Sequence, residues 1–370
     1  MPPRFALFDL GFRPFYLLAG AFAALAVPLW AAQYAGWLPG ADLRWHAHEM
    51  IFGYAFAVIT GFLFTAVRNW TARPTPAGGA LAAIAGLWLL ARILAVFSLR
   101  AAAFADAAFA LAVAWGIGRP LIAAGNRRNL FFVAVVLALG AAGFAAQLWP
   151  RIALALGLDV VLFVVSVVAG RVIPGFTNNA VPGAGARRVP WLDAAALAAV
   201  LALLALDAAD RPGLAGIVAG AGAVLHAARL ALWAPHKALR KPILWILHLS
   251  YAWIVAHLAL RALAGFDLIP YALATHALTV GAIGGMTLGM MTRTARGHTA
   301  RLLAAGPAEI AAYVLVQLAA IARVLVPLAV PAAAFGAMLA AAAFWFAAFA
   351  IFVAAYAPIL VAPRLDGKPG

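Results

Sequence analysis

The chain has 370 residues, 67% of them hydrophobic and 10% charged, at a mean hydropathy of +1.02. That usage lies far outside the range of soluble domains and defines a polytopic membrane protein. No cysteine occurs, which excludes disulfides, thiolate metal sites and thiol catalysis and leaves His, Met, carboxylate or Tyr to hold any metal.

Apolar runs of about 20 residues, the length that crosses a bilayer, are predicted near 13–36, 46–66, 77–97, 101–118, 129–149, 151–173, 189–207, 212–233, 241–264, 270–292, 306–329 and 334–360. The short-period alternation of barrel strands is missing. The expected fold is therefore an all-α integral membrane bundle of about twelve transmembrane helices, with 1–370 forming a single polytopic domain. MPPRFALFDLGFRP lacks the basic, apolar, small order of a cleavable signal peptide. Of the 26 Lys and Arg, nineteen fall at the termini or after even-numbered spans, among them Arg4, Arg13, Arg68, Arg229, Arg296, Arg301 and Arg364. Seven lie toward the other face. By the positive-inside rule both termini are expected to be cytoplasmic, and the net charge of +15 marks a membrane face rather than nucleic-acid binding. No convincing internal repeat is visible.

The second span opens at the outer face with WHAHEM, which sets His46, His48, Glu49 and Met50 side by side. In a regular helix His46 and His48 diverge by about 200°, so both reach one metal only where the backbone is extended or just entering the helix. Glu49 is placed to orient an imidazole or relay a proton. Arg92, at the outer end of the third span, requires an anion, because an unpaired guanidinium there is costly. Deep in the eighth span lies His226, and in the ninth His248 lies at a similar depth, a pair that either binds a second cofactor or hydrogen-bonds within the bundle. His257, nine residues beyond His248, is on the opposite side of the helix and about 13 Å along it. It shares the outer layer with His276 of the tenth span. Arg261 and Arg323 repeat the situation of Arg92 in the ninth and eleventh spans, and Trp253 is placed to wall a cofactor. Asp106 and Asp159 are candidate partners for these arginines. Neutral imidazole is the ligand type common to haem iron and copper. Haem propionates suit the forked guanidinium. His236 and His298 read as loop residues among basic neighbours.

Four blocks, WHAHEMIFGYAFAVITGFLFTAVRNWT, AGRVIPGFTNNA, PILWILHLSYAWI and HALTVGAIGGMTLGMMTRTARGHTAR, resemble the signature segments of the NnrS family. They run in order through most of the chain. Arg68 and Ala72 depart from the block, which is expected to read AVPNWTG. The resemblance implies a cytoplasmic-membrane protein that carries haem, b-type, and copper and acts in the bacterial response to nitric oxide, beside denitrification functions.

Three functions follow for comparison. In the first, nitric oxide, which dissolves in hydrocarbon, is bound at an outer-half metal site made of His46, His48, His257 and His276. Its reduction would make the chain an oxidoreductase and call for a membrane or periplasmic electron donor. In the second, the chain transports a metal, haem or metal-nitrosyl species, with RVIPGFTNN and GAIGGMTLG supplying interrupted helices. The third is a scaffold, for which no large soluble surface is available.

Overall fold

The computed structural model describes residues 5–40 and 42–368; Arg4 lies outside them. Among the described residues twelve helices are long and apolar enough to cross a membrane: α1 (Phe12–Tyr34), α2 (Leu43–Thr71), α3 (Gly78–Phe97), α4 (Leu99–Ala123), α5 (Arg127–Ala145), α6 (Pro150–Ala180), α7 (Pro190–Ala208), α8 (Pro212–Leu232), α9 (Pro242–Ala264), α10 (Tyr271–His298), α11 (Pro307–Ala329) and α12 (Pro331–Val361). No strand occurs among the described residues. The chain is a multi-pass helical membrane protein.

Local chemistry sets the boundaries. Six helices, α6 to α9, α11 and α12, begin on proline, whose fixed φ suits a first turn that has no use for its N–H. Asp42 starts α2 by accepting from the Arg44 amide at 2.8 Å. Ser98 alone separates α3 from α4, in an extended conformation with its hydroxyl accepting from the Ala101 amide. Two expectations change. RVIPGFTNNA does not interrupt a helix: α6 runs through Pro174 to Ala180. GAIGGMTLG does not either, since Ala277–Gly284 forms a π-helical stretch inside a continuous α10, which then reaches His298.

The chain divides into two compact units. Unit 1 comprises Met1–Val160, Met291–Leu302 and Phe352–Gly370. Within it the Ala6 amide donates to the Val361 carbonyl at 2.9 Å, and Arg13 Nη1 donates to the carbonyls of Leu360 and Ala362 at 2.9 and 2.6 Å. The start of α1 and the end of α12 therefore lie at the same end of this unit, as an even number of crossings requires. Unit 2 comprises Val161–Met290 and Leu303–Ile351.

The structure also exposes a duplication that the sequence reading passed over. His48, Gly53, Gly61, Arg68, Thr71, Ala72 and Arg73 recur at one constant offset as His276, Gly281, Gly289, Arg296, Thr299, Ala300 and Arg301. Backbone form repeats with them. In α2 an α-helical turn ends at His48 and passes into a π-helical stretch, Glu49–Ala55; in α10 one ends at His276 and passes into Ala277–Gly284. A Cβ on Gly61 would meet Phe15 and Tyr16 of α1 at 3.0 Å, and one on Gly289 would meet Ile246 and Leu247 of α9 at 2.9 Å. Each copy thus packs its second helix closely on its first.

Both copies end on an alanine in the left-handed region, Ala72 at φ 52° and Ala300 at φ 59°. A Cβ is disfavoured there by about 1–2 kcal/mol. Ala72→Gly is accordingly expected to stabilise the protein by about 1 kcal/mol, read as a higher unfolding midpoint in detergent; a lower midpoint would show that the turn is not strained.

Candidate functional site

In unit 1 the WHAHEM segment is helical throughout, so its two histidines face different surroundings. The half-buried His46 ring stacks on Trp30, centroids 4.4 Å apart. His48 is buried, with Nδ1 3.0 Å from Glu49 Oε1 and Nε2 3.8 Å from Asp106 Oδ2. Arg92 completes the group: Nη1 donates to Glu49 Oε1 at 2.7 Å and Nη2 to Asp106. The anions that meet Arg92 are thus the protein's own carboxylates. The π-helical stretch shapes this group, because it turns the Gly53 carbonyl toward the Trp88 indole N–H, 3.0 Å away. Gly53 itself leaves room for the guanidinium, since a Cβ there would collide with Arg92 Nη1. Glu49 is fully buried and held between Arg92 and His48. That arrangement makes it a positioning residue for the imidazole.

In unit 2 the deep histidines differ in what they leave open. His226 Nε2 faces the Ala196 carbonyl at 3.3 Å and Nδ1 faces the Tyr251 hydroxyl at 2.7 Å. Arg229 donates to that hydroxyl at 2.6 Å and to Asp193 at 2.9 Å, so the tyrosine proton goes to His226 Nδ1. Both ring nitrogens of His226 therefore face a hydrogen-bond partner from within the bundle. His248 Nε2 lies 2.9 Å from Thr177 Oγ1, which in turn donates to the Ile173 carbonyl. Its Nδ1 is buried without a hydrogen-bond partner.

His257 is 2% exposed, with Nδ1 2.8 Å from the Ala274 carbonyl. A carbonyl only accepts, so the proton sits on Nδ1 and Nε2 carries the lone pair. That Nε2 is buried without a hydrogen-bond partner. His276, two residues past Ala274, is half-buried and holds the same tautomer by donating from Nδ1 to the Ala272 carbonyl at 2.7 Å. The end of α9 and the start of α10 are thereby joined, as their antiparallel order in the chain predicts. Arg261 pairs with Asp207 at 2.5 Å. Trp253 donates from its indole to Gln317 Oε1 at 2.8 Å and lies against Gly281. Arg323 is half-buried in a third π-helical stretch, Ile321–Leu325. His46 and His48 belong to unit 1, and His257 and His276 to unit 2.

Several of these partners were not foreseen. Asp106 is among the expected arginine partners, but Asp207, Asp193, Gln317 and Tyr251 are not, and Arg229 reads from the sequence as an inner-face cation. One signal was available: His226 and Arg229 stand three residues apart and so share a helix face. His298 also differs from expectation, since it ends α10 with its ring 5.7 Å from Phe12.

The donor chemistry decides whether the groups implied by the resemblance fit. His257 fits a haem ligand: a buried ring, oriented through Nδ1 by a carbonyl, with Nε2 buried and without a hydrogen-bond partner. Copper finds less, for the described residues contain no group of three or more His, Asp or Glu side chains arranged to hold a metal ion.

The fold and these side chains define a multi-pass helical membrane protein with a ligand-type imidazole buried in its bundle. The family model described as NnrS protein matches residues 6–364. The chain belongs to the NnrS family. Among curated proteins, none matches it.

Proposed function

We propose that this chain is a haem-holding protein of the bacterial nitric oxide response, seated in the cytoplasmic membrane with both termini inside, and that His257 would supply an imidazole ligand to the haem. Family membership supports the role in the nitric oxide response. The observation that carries the ligand assignment is the buried His257 Nε2, unpartnered while Nδ1 is committed to Ala274. Bound haem would supply the iron at which nitric oxide coordinates. The protein's part is to fix the tautomer through Ala274, keep water from the ring, and hold the gas-permeable hydrocarbon of the bundle around it. Binding needs no acid or electron donor. Reduction to nitrous oxide would consume two electrons and two protons for every two molecules, and so adds a membrane or periplasmic donor as a partner. The alternative of a carrier loses the interrupted helices it relied on, because α6 and α10 are continuous.

Visible absorption of the purified protein in detergent tests this reading. A Soret band near one equivalent or more, shifted by nitric oxide, is expected. Losing even an outer partner of a metal ligand costs about 10–100-fold in affinity, so His257→Ala should lose most of the band with helical circular dichroism intact. A parent protein that takes up no haem, or a His257→Ala variant that keeps its band, would overturn the assignment.

A further inference from the structure

At the end of unit 1 where the start of α1 meets the end of α12, four separate segments bring arginines together. Arg13, from the start of α1, is fully buried and hydrogen-bonded to carbonyls at the end of α12. Arg364, beyond α12, donates to the His298 carbonyl at 3.1 Å, and the Leu365 amide donates to the Thr299 carbonyl at 3.3 Å. Arg296 donates to the Tyr356 hydroxyl at 3.1 Å and the Leu302 carbonyl at 3.3 Å. Arg301 folds back so that its amide reaches the Arg296 carbonyl at 2.9 Å. Arg13 lies within electrostatic range of Arg301 and Arg364, and His298 within range of Arg364, Arg68 and Arg13.

Two carboxylates face this group. Asp366 is taken by the fork of Arg364, at 2.9 and 2.7 Å, and Asp9 lies near Arg13. Five guanidiniums and an imidazole are thus set against two acids. The positive-inside rule accounts for cations in solvated loops. It does not account for a fully buried Arg13, for a half-buried Arg68, or for half-buried Arg296, Arg301 and Arg364 hydrogen-bonded to neutral carbonyls and a phenol. Burial, followed by the charge of Arg296, lowers the Arg301 guanidinium from its ordinary value, the direction expected of crowded cations. The duplication contributes directly: Arg68 of the first copy corresponds to Arg296 of the second, and Arg68 is one of the two departures from the expected family block.

We propose that Arg68, Arg296, Arg301, Arg364 and His298, with the buried charge of Arg13 behind them, form a binding site for a phosphate-bearing anion. A phosphate group offers several acceptor oxygens at once and matches the planar donor forks of converging guanidiniums. A phospholipid headgroup and a soluble phosphate share that chemistry, and the position at the end of the helices is open to either.

The test uses the full-length protein and compares each variant with its own ligand-free baseline. In detergent, unfolding is followed while inorganic phosphate or pyrophosphate is added against chloride at equal ionic strength. In nanodiscs, phosphatidylglycerol is compared with phosphatidylcholine. Stabilisation by the soluble anions identifies a soluble ligand; stabilisation by phosphatidylglycerol alone identifies a headgroup. In either case Arg301→Gln and Arg68→Gln, made separately, should weaken the effect about tenfold or more, and Arg127→Gln, an exposed cation elsewhere, should not. If Arg301→Gln fails to fold, Arg68→Gln carries the comparison. No stabilisation by any of the probes, or equal loss in Arg127→Gln, overturns the proposal.

Discussion

Arg92→Met is expected to cost about 3–5 kcal/mol of stability. Arg92 is 5% exposed and is the one guanidinium bonded to both Glu49 and Asp106. Methionine keeps the length of the side chain while removing its charge and donors, so two carboxylates would remain in the interior with only His48 beside them. The cost is that of uncompensated charge rather than the worth of the pair. Replacing all three groups, as Arg92→Met with Glu49→Gln and Asp106→Asn, should therefore recover much of the loss, since the quartet acts as one coupled network. Unfolding midpoints of the single and triple variants check this. A single variant within about 1 kcal/mol of the parent, or a triple variant less stable than the single one, would show that the carboxylates find other compensation.

Arg229→Met should cost about 3 kcal/mol without loss of haem. Arg229 binds Asp193, the Tyr251 hydroxyl and, at 3.4 Å, the Ser166 carbonyl, and its guanidinium lies 5.3 Å from the Trp233 ring centroid. The loss is smaller than for Arg92 because Asp193 keeps Arg188 at 2.8 Å. His226→Ala breaks the same chain one link further on and should lower stability in the same assay. Neither change touches an open ligand nitrogen. Both variants should keep the Soret band that His257→Ala loses, and a band lost in either would mean that the Tyr251 network positions the cofactor.

The expected site was legible in part. Imidazoles at matching depth and the antiparallel order of the ninth and tenth spans were enough to anticipate that His257 and His276 belong near each other. The spacing of His46 and His48 also stated the condition they had to meet, a backbone that is extended or just entering the helix, and the helix that starts at Leu43 holds both on helical backbone. The arginine partners were read less well. A guanidinium at the end of an apolar span advertises its need for an anion but not the anion's identity, and Asp207 and Glu49 met that need from other helices.

By itself the sequence determined the membrane class, the number of helices and nearly all of their positions, because apolar length and proline or glycine breaks act locally and a bilayer leaves the backbone few other choices. It also contained the duplication, whose seven matching positions are spread too thinly to stand out in so apolar a chain. Only the tertiary structure decided which histidines are spent and which keep a lone pair. His226 and His257 are both buried imidazoles on neighbouring helices, yet one meets a hydroxyl and a carbonyl while the other meets a carbonyl alone. That difference lies in the tyrosine and main-chain groups packed against each ring, which arrive from distant parts of the chain, and no local pattern around either histidine encodes it.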